Sequence, residues 1–130
     1  MSTKTETEIR NAEIARAYFA AWDAKDWDAY RALLADDVDF VGAMGKVAGA
    51  DEAVQGIASF AHVIREVKVE KIWVDGEDVI TWFHLLTTAE DEPVPVANYS
   101  KIRDGKIVRI RAAFEGSRVG KAIEKAAAEK

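Results

Sequence analysis

The sequence predicts an α+β fold in which N-terminal helices pack on an antiparallel sheet. Three observations predict it. Apolar residues recur with a helical period up to about residue 64. Four strand-like stretches follow in succession, as in an antiparallel meander. The length, 130 residues, suits one domain with one core.

From Glu8 to Ala24, Ile14, Tyr18 and Ala21/Trp22 fall at i, i+4 and i+7/i+8, on one helical face. Asp26 can cap a second helix over 27–34, with Trp27, Tyr30, Leu33 and Leu34 on its apolar side. Val38 to Val41 reads as a short strand. Residues 42–49 hold three glycines and read as a loop. Asp51 and Glu52 suit the first turn of a third helix, which buries Val54, Ile57, Phe60, Ala61 and Ile64.

In residues 66–74, Val67 and Val69 give way to Ile72 and Val74, a phase slip that predicts a bulge. Residues 78–89 are apolar on both faces, with Ile80, Trp82 and Leu86 on one and Val79, Phe83 and Leu85 on the other. Residues 93–102 and 107–115 form a hairpin around Arg103-Asp104-Gly105-Lys106. A two-residue turn would pair Arg103 with Lys106 and set Asn98 beside Arg109 and Arg111. A turn with Gly105 in a left-handed bulge would pair Ile102 with Lys106. It gathers Val94, Val96, Asn98, Ser100 and Ile102 with Val108, Ile110, Ala112 and Phe114. The second separates apolar from charged side chains and is preferred. Residues 1–7 read as a disordered N-terminus, 8–117 as the domain, and 118–130 as an Ala-rich helical tail with little to bury.

Net charge is −5, and this acid excess argues against nucleic-acid and anionic-membrane partners. No cysteine is present, and the two histidines lack ligand spacing, so neither a metal nor a cofactor is expected. The polar start, without a signal core or a membrane-length apolar run, points to a cytoplasmic protein.

Two stretches carry a resemblance to a known superfamily. One runs from Ala17-Tyr18-Phe19-Ala20-Ala21-Trp22-Asp23-Ala24-Lys25-Asp26-Trp27-Asp28 to Leu33-Leu34-Ala35-Asp36-Asp37-Val38. The other is Arg103-Asp104-Gly105-Lys106-Ile107-Val108-Arg109, ending Ala113-Phe114-Glu115. With the element order they resemble the nuclear transport factor 2-like superfamily, and within it the SnoaL-like and ketosteroid isomerase-like proteins. The resemblance implies a cone-shaped fold, a curved antiparallel sheet wrapped around the N-terminal helices with an internal apolar pocket between the two layers.

The isomerases use a helix Tyr, an Asp base after the first strand, and a protonated Asp on the fourth strand that donates to the oxyanion. Tyr18 aligns with the first. Asn98 aligns with the third if one turn residue is deleted. The base position falls near Gly42, which cannot take a proton. An Asp–His dyad like that of the dehydratases would need Asp23 with His62 or His84, on a poor local match.

The resemblance points the strand face carrying Ile80, Trp82, His84 and Leu86 into the pocket. The candidate catalytic residues are therefore His84, Asn98 and Tyr18, with His84 moving a proton and the other two holding an oxygen. Trp22, Trp82, Ser100, Ile110, Ala112, Phe114 and Phe60 are the candidate substrate contacts. Two functions stay open. One is cofactor-free acid–base chemistry on an apolar carbonyl-bearing or cyclic substrate. The other is non-catalytic ligand binding or assembly. A homodimer through the outer sheet face is expected, with Val79, Phe83 and Leu85 as its apolar contacts.

Overall fold

The computed structural model describes residues 5–42 and 45–129. Helix α1 (Glu6–Ala24) starts two residues before the predicted boundary because Thr5 and Glu8 close a capping box. Thr5 to Thr7 thus belong to the ordered domain, and the rest of the expected disordered terminus lies outside the described residues. Helix α2 (Trp27–Ala32) starts at the Asp26 cap, whose side chain accepts from the Ala29 amide at 3.1 Å. Strand β1 (Leu34–Gly42) follows at once.

The glycine-containing stretch read as a loop holds a further strand, β2 (Gly45–Ala48), which pairs antiparallel with β1. Helix α3 (Ala50–Phe60) and a single 3-10 turn (Ala61–Val63) lead into β3 (Ile64–Asp75). Strands β4 (Asp78–Thr87), β5 (Val94–Arg103) and β6 (Lys106–Ala113) complete the sheet, and helix α4 (Ser117–Ala128) closes the chain.

The six strands run in the order β2-β1-β6-β5-β4-β3. The sheet is mixed rather than purely antiparallel, because β1 pairs with β6 in parallel. The sheet is curved and unclosed. Its register shifts between Val69 and Lys71, where the phase slip predicts a bulge.

The final hairpin corrects one expectation and keeps its consequence. Arg103 pairs with Lys106, so the turn is the two-residue one, with φ of 52° at Asp104 and 80° at Gly105. Two residues later the register shifts, leaving Val108 as the extra residue of a bulge. The bulge reverses the parity that the turn imposes. The turn itself pairs Ile102 with Ile107, and beyond the bulge Ser100 meets Ile110 and Asn98 meets Ala112. Asn98 and Ser100 are buried on the inner face, with Ile107 rather than Val108 beside Ile102.

Helix α1 is tied to the sheet at both ends. Asn11 Nδ2 donates to Gly76 O at 3.0 Å, and Asp23 Oδ1 accepts from the Val67 amide at 2.9 Å. Between these anchors Phe19 and Trp22 pack on Phe83 of β4, with ring centroids 4.6 and 5.8 Å apart. No helix among the described residues is long and apolar enough to cross a membrane.

Candidate functional site

The concave face does not pack solid against the helices. A cavity of about 870 Å³ remains between the sheet, α1, α3 and α4. Phe83, Leu85, Val96, Asn98, Ala112 and Phe114 form its floor. Tyr18 and Trp22 on α1, and Ile57 and Phe60 on α3, form the opposite wall. Ile123, Ala126 and Ala127 close one side from α4, so the helix within the expected tail contributes to the cavity wall. Val119 and Ala122 of that helix are buried. Exposed Ser59 and His62 also border the cavity.

The structure brings Tyr18, Trp22, Phe60, Asn98, Ala112 and Phe114 together on this lining, as the sequence analysis expects. It leaves four others out. Ser100 and Ile110 face inward but are buried in the core beside the cavity. His84 and Trp82 lie on the opposite side of the sheet, and this is a correction. In the register between β4 and β5, Thr81 faces Asn98 and Phe83 faces Val96, so odd-numbered residues of β4 point inward. His84 pairs with Pro95, and its Nδ1 lies 3.4 Å from Glu70 Oε1 on the outer face. His84→Ala should therefore leave the affinity for any cavity ligand unchanged; a binding isotherm that shifts would contradict this placement.

The same parity buries Val79, Phe83 and Leu85 in the core, so they cannot serve as dimer contacts. Neither form of the dyad is assembled: the Asp23 carboxylate accepts from a β3 amide, His62 makes no hydrogen bond or ion pair with a described residue, and His84 lies on the outer face.

Exposed Lys46 of β2 borders the cavity with Ser59 and His62, while the buried polar groups on the lining are neutral donors. Asn98 is 2% exposed; its Oδ1 accepts from Ser100 Oγ at 3.0 Å, and its Nδ2 donates to no described residue. Trp22 Nε1 is buried and has no acceptor among the described residues. Tyr18 and Tyr30 share a hydrogen bond of 2.7 Å. Burial pushes both phenols well above their ordinary range, so both keep their protons at neutral pH. Two protons serve one mutual bond, which leaves one spare. Tyr30 is fully buried, off the cavity, and has no other acceptor among the described residues. Satisfaction therefore favours Tyr30 as donor to Tyr18, with the Tyr18 hydroxyl free toward the cavity.

No described Asp or Glu lines the cavity. Asp39 lies on β1 outside it, bonded to Arg111 at 2.8 Å, and that bond lowers its pKa. Glu115 accepts from the Ser117 amide at the start of α4, and its bonds to Ser117 likewise lower its pKa. Among the described residues no three or more His, Asp or Glu side chains gather as a metal site.

This architecture of helices on a curved sheet, with a cavity between, is matched by sequence. The family model of the SnoaL-like domain matches residues 15–110, and the chain belongs to that family. A candidate SnoaL-like polyketide cyclase from Jannaschia sp. CCS1 superposes with a TM-score of 0.82, at 21% identity over 95% of this chain and 97% of that one. A candidate ketosteroid isomerase from Kribbella flavida DSM 17836 gives 0.75, at 19% identity over 83% of this chain and 79% of that one. An LEH-like epoxide hydrolase from M. tuberculosis gives 0.74, at 20% identity over 91% and 92%. No curated protein sequence matches significantly. At these identities the superpositions establish the fold, and one fold hosts many chemistries.

Proposed function

We propose that the cavity binds an apolar small molecule through a carbonyl or similar neutral acceptor, which Asn98 and Tyr18 polarise. The observation that carries this reading is the pair of unspent donors among the buried residues of a largely apolar lining: Asn98 Nδ2 and the spare Tyr18–Tyr30 proton. A buried donor without an acceptor costs about 1–3 kcal/mol, and a ligand acceptor would recover that cost. The absence of a carboxylate among the described lining residues disfavours a cation, and Lys46, the one Lys or Arg among them, is exposed at the cavity border rather than buried beside Asn98. The test compares a medium-chain methyl ketone with the alkane of equal length by titration calorimetry. The ketone is expected to bind roughly ten-fold tighter; equal affinities would remove the donors from recognition.

Acid–base chemistry on such a ligand has one imidazole on the lining, His62, and one specific observation in its favour: His62 makes no ion pair or hydrogen bond with a described residue. His62 thus replaces His84 as the group to test for proton transfer. Asn98 and Tyr18 would stabilise the developing oxyanion.

The partner proposed for the outer sheet face is a second copy of this chain. Trp73, Ile80 and Trp82 are 47%, 40% and 39% exposed there. A two-fold contact would set this patch against itself, apolar centre to apolar centre. Trp82→Glu should shift the sedimentation of the protein from dimer to monomer at micromolar concentration. A wild-type chain that sediments as a monomer at every concentration would remove the dimer.

A further inference from the structure

Helix α4 joins the cavity in an uneven way. Its first half is fixed. Arg118 donates to Glu90 Oε1 at 2.5 Å, to Pro93 O at 3.0 Å and to Glu92 O, while Val119 and Ala122 are buried. Its second half carries no such tie. Lys121, Glu124, Lys125 and Glu129 make no side-chain hydrogen bond or ion pair with the rest of the fold among the described residues. Yet Ile123, Ala126 and Ala127 from this half line the cavity. Ile123 is 42% exposed although it borders an apolar space.

An apolar side chain at a cavity edge, on a helix held at one end, is poised to gain contact when the cavity fills. Burying its remaining exposed area is favourable by the hydrophobic effect. The second half has no polar tie and is held against the core by Ala126 alone among its partly buried apolar side chains, so its closure depends on what fills the cavity.

From this we infer that α4 is the lid of the cavity and that Ile123 sets the length of ligand it accepts. This rests on the ligand-binding reading above. Arg118 anchors the fixed end, and the ligand supplies the apolar surface on which the free end closes. A short ligand held near Asn98 does not reach Ile123; a long one does, and closure then buries the isoleucine against it.

The test uses the full chain and a series of methyl ketones from short to long, each first shown to shift the indole N–H signal of Trp22. The longest ketone that binds is expected to slow amide hydrogen exchange in residues 121–128 by roughly ten-fold. Ile123→Trp, a change at a partly exposed site that leaves the core intact, is expected to weaken the longest ketones by roughly ten-fold and spare the shortest. Unchanged exchange in α4 with a ketone that does shift Trp22 overturns the lid. Equal weakening of every length by Ile123→Trp overturns the length role. If no ketone shifts Trp22, the ligand-binding reading itself has failed.

Discussion

Asn98→Leu should abolish the preference of the cavity for a ketone over an alkane. Asn98 Nδ2 has no acceptor among the described residues, and the other end of the amide is fixed by Ser100 Oγ at 3.0 Å. Leucine has the same branching at Cγ and is larger, with the cavity beside it to take the added methyl volume, so the floor stays filled and the donor is lost. Ketone affinity should fall roughly ten-fold or more, the weight of one well-placed buried hydrogen bond, while alkane affinity holds. Asn98→Leu also strips Ser100 of its acceptor, which costs about 1 kcal/mol of stability. The double variant Asn98→Leu/Ser100→Ala removes both ends of that bond and should recover much of the loss without restoring ketone preference. Calorimetry on the two variants, with urea unfolding, separates recognition from folding. A ketone preference that survives in both would move the acceptor elsewhere.

Alkaline unfolding should be steep, and the buried phenol pair should cause it. In the unfolded chain each tyrosine ionises near 10.0, its ordinary value, whereas in the fold burial holds Tyr18 and Tyr30 well above it. A folded pKa raised above the unfolded one gives stability that is intact below about pH 10 and is lost as pH rises toward the folded values. The slope is about 1.4 kcal/mol per pH unit for each phenol that stays protonated in the fold while its unfolded counterpart is ionised. Tyr99, the third tyrosine, is partly exposed; its bond to Asp78 at 2.6 Å raises its pKa without hiding it from base. Phenolate absorbance should therefore show one group titrating in the folded protein and two appearing only with unfolding. Tyr18→Phe/Tyr30→Phe should flatten the pH dependence. Three phenolates appearing before the fold is lost would contradict the buried pair.

The element order and most of the cavity floor were legible because period and parity carry that information. Asn98 is an instance. The turn type was misread, but the demand that Val94, Val96 and Ile102 share a face was correct, and the bulge at Val108 satisfies it. Strand β4 shows where parity fails. Val79, Phe83 and Leu85 are as apolar as Ile80, Trp82 and Leu86, so alternation alone cannot say which set faces inward.

The deciding quantity is the register with β5. Residues 86–93 separate the paired Leu85 and Val94, and they carry no tight-turn signature that would fix it. His84 and Trp82 were placed through the comparison with isomerases, and that comparison pointed the wrong way. Helix α4 was misjudged for another reason. Its inner face is Val119, Ala122, Ile123 and Ala126, spaced at i, i+3, i+4 and i+7, but alanine gives a weak apolar signal beside so many Lys and Glu. Strand β2 was hidden by glycines that read as loop.

The account stands on a ligand entering the hollow of the sheet rather than settling on its outer face. The four indole N–H signals report this directly in a two-dimensional nuclear magnetic resonance spectrum, since Trp22 lines the cavity while Trp73 and Trp82 lie exposed on the sheet. Titration with a medium-chain methyl ketone should move the Trp22 signal as the space its ring borders fills, with Trp73 and Trp82 unmoved. Movement of Trp73 or Trp82 with Trp22 unchanged would contradict it.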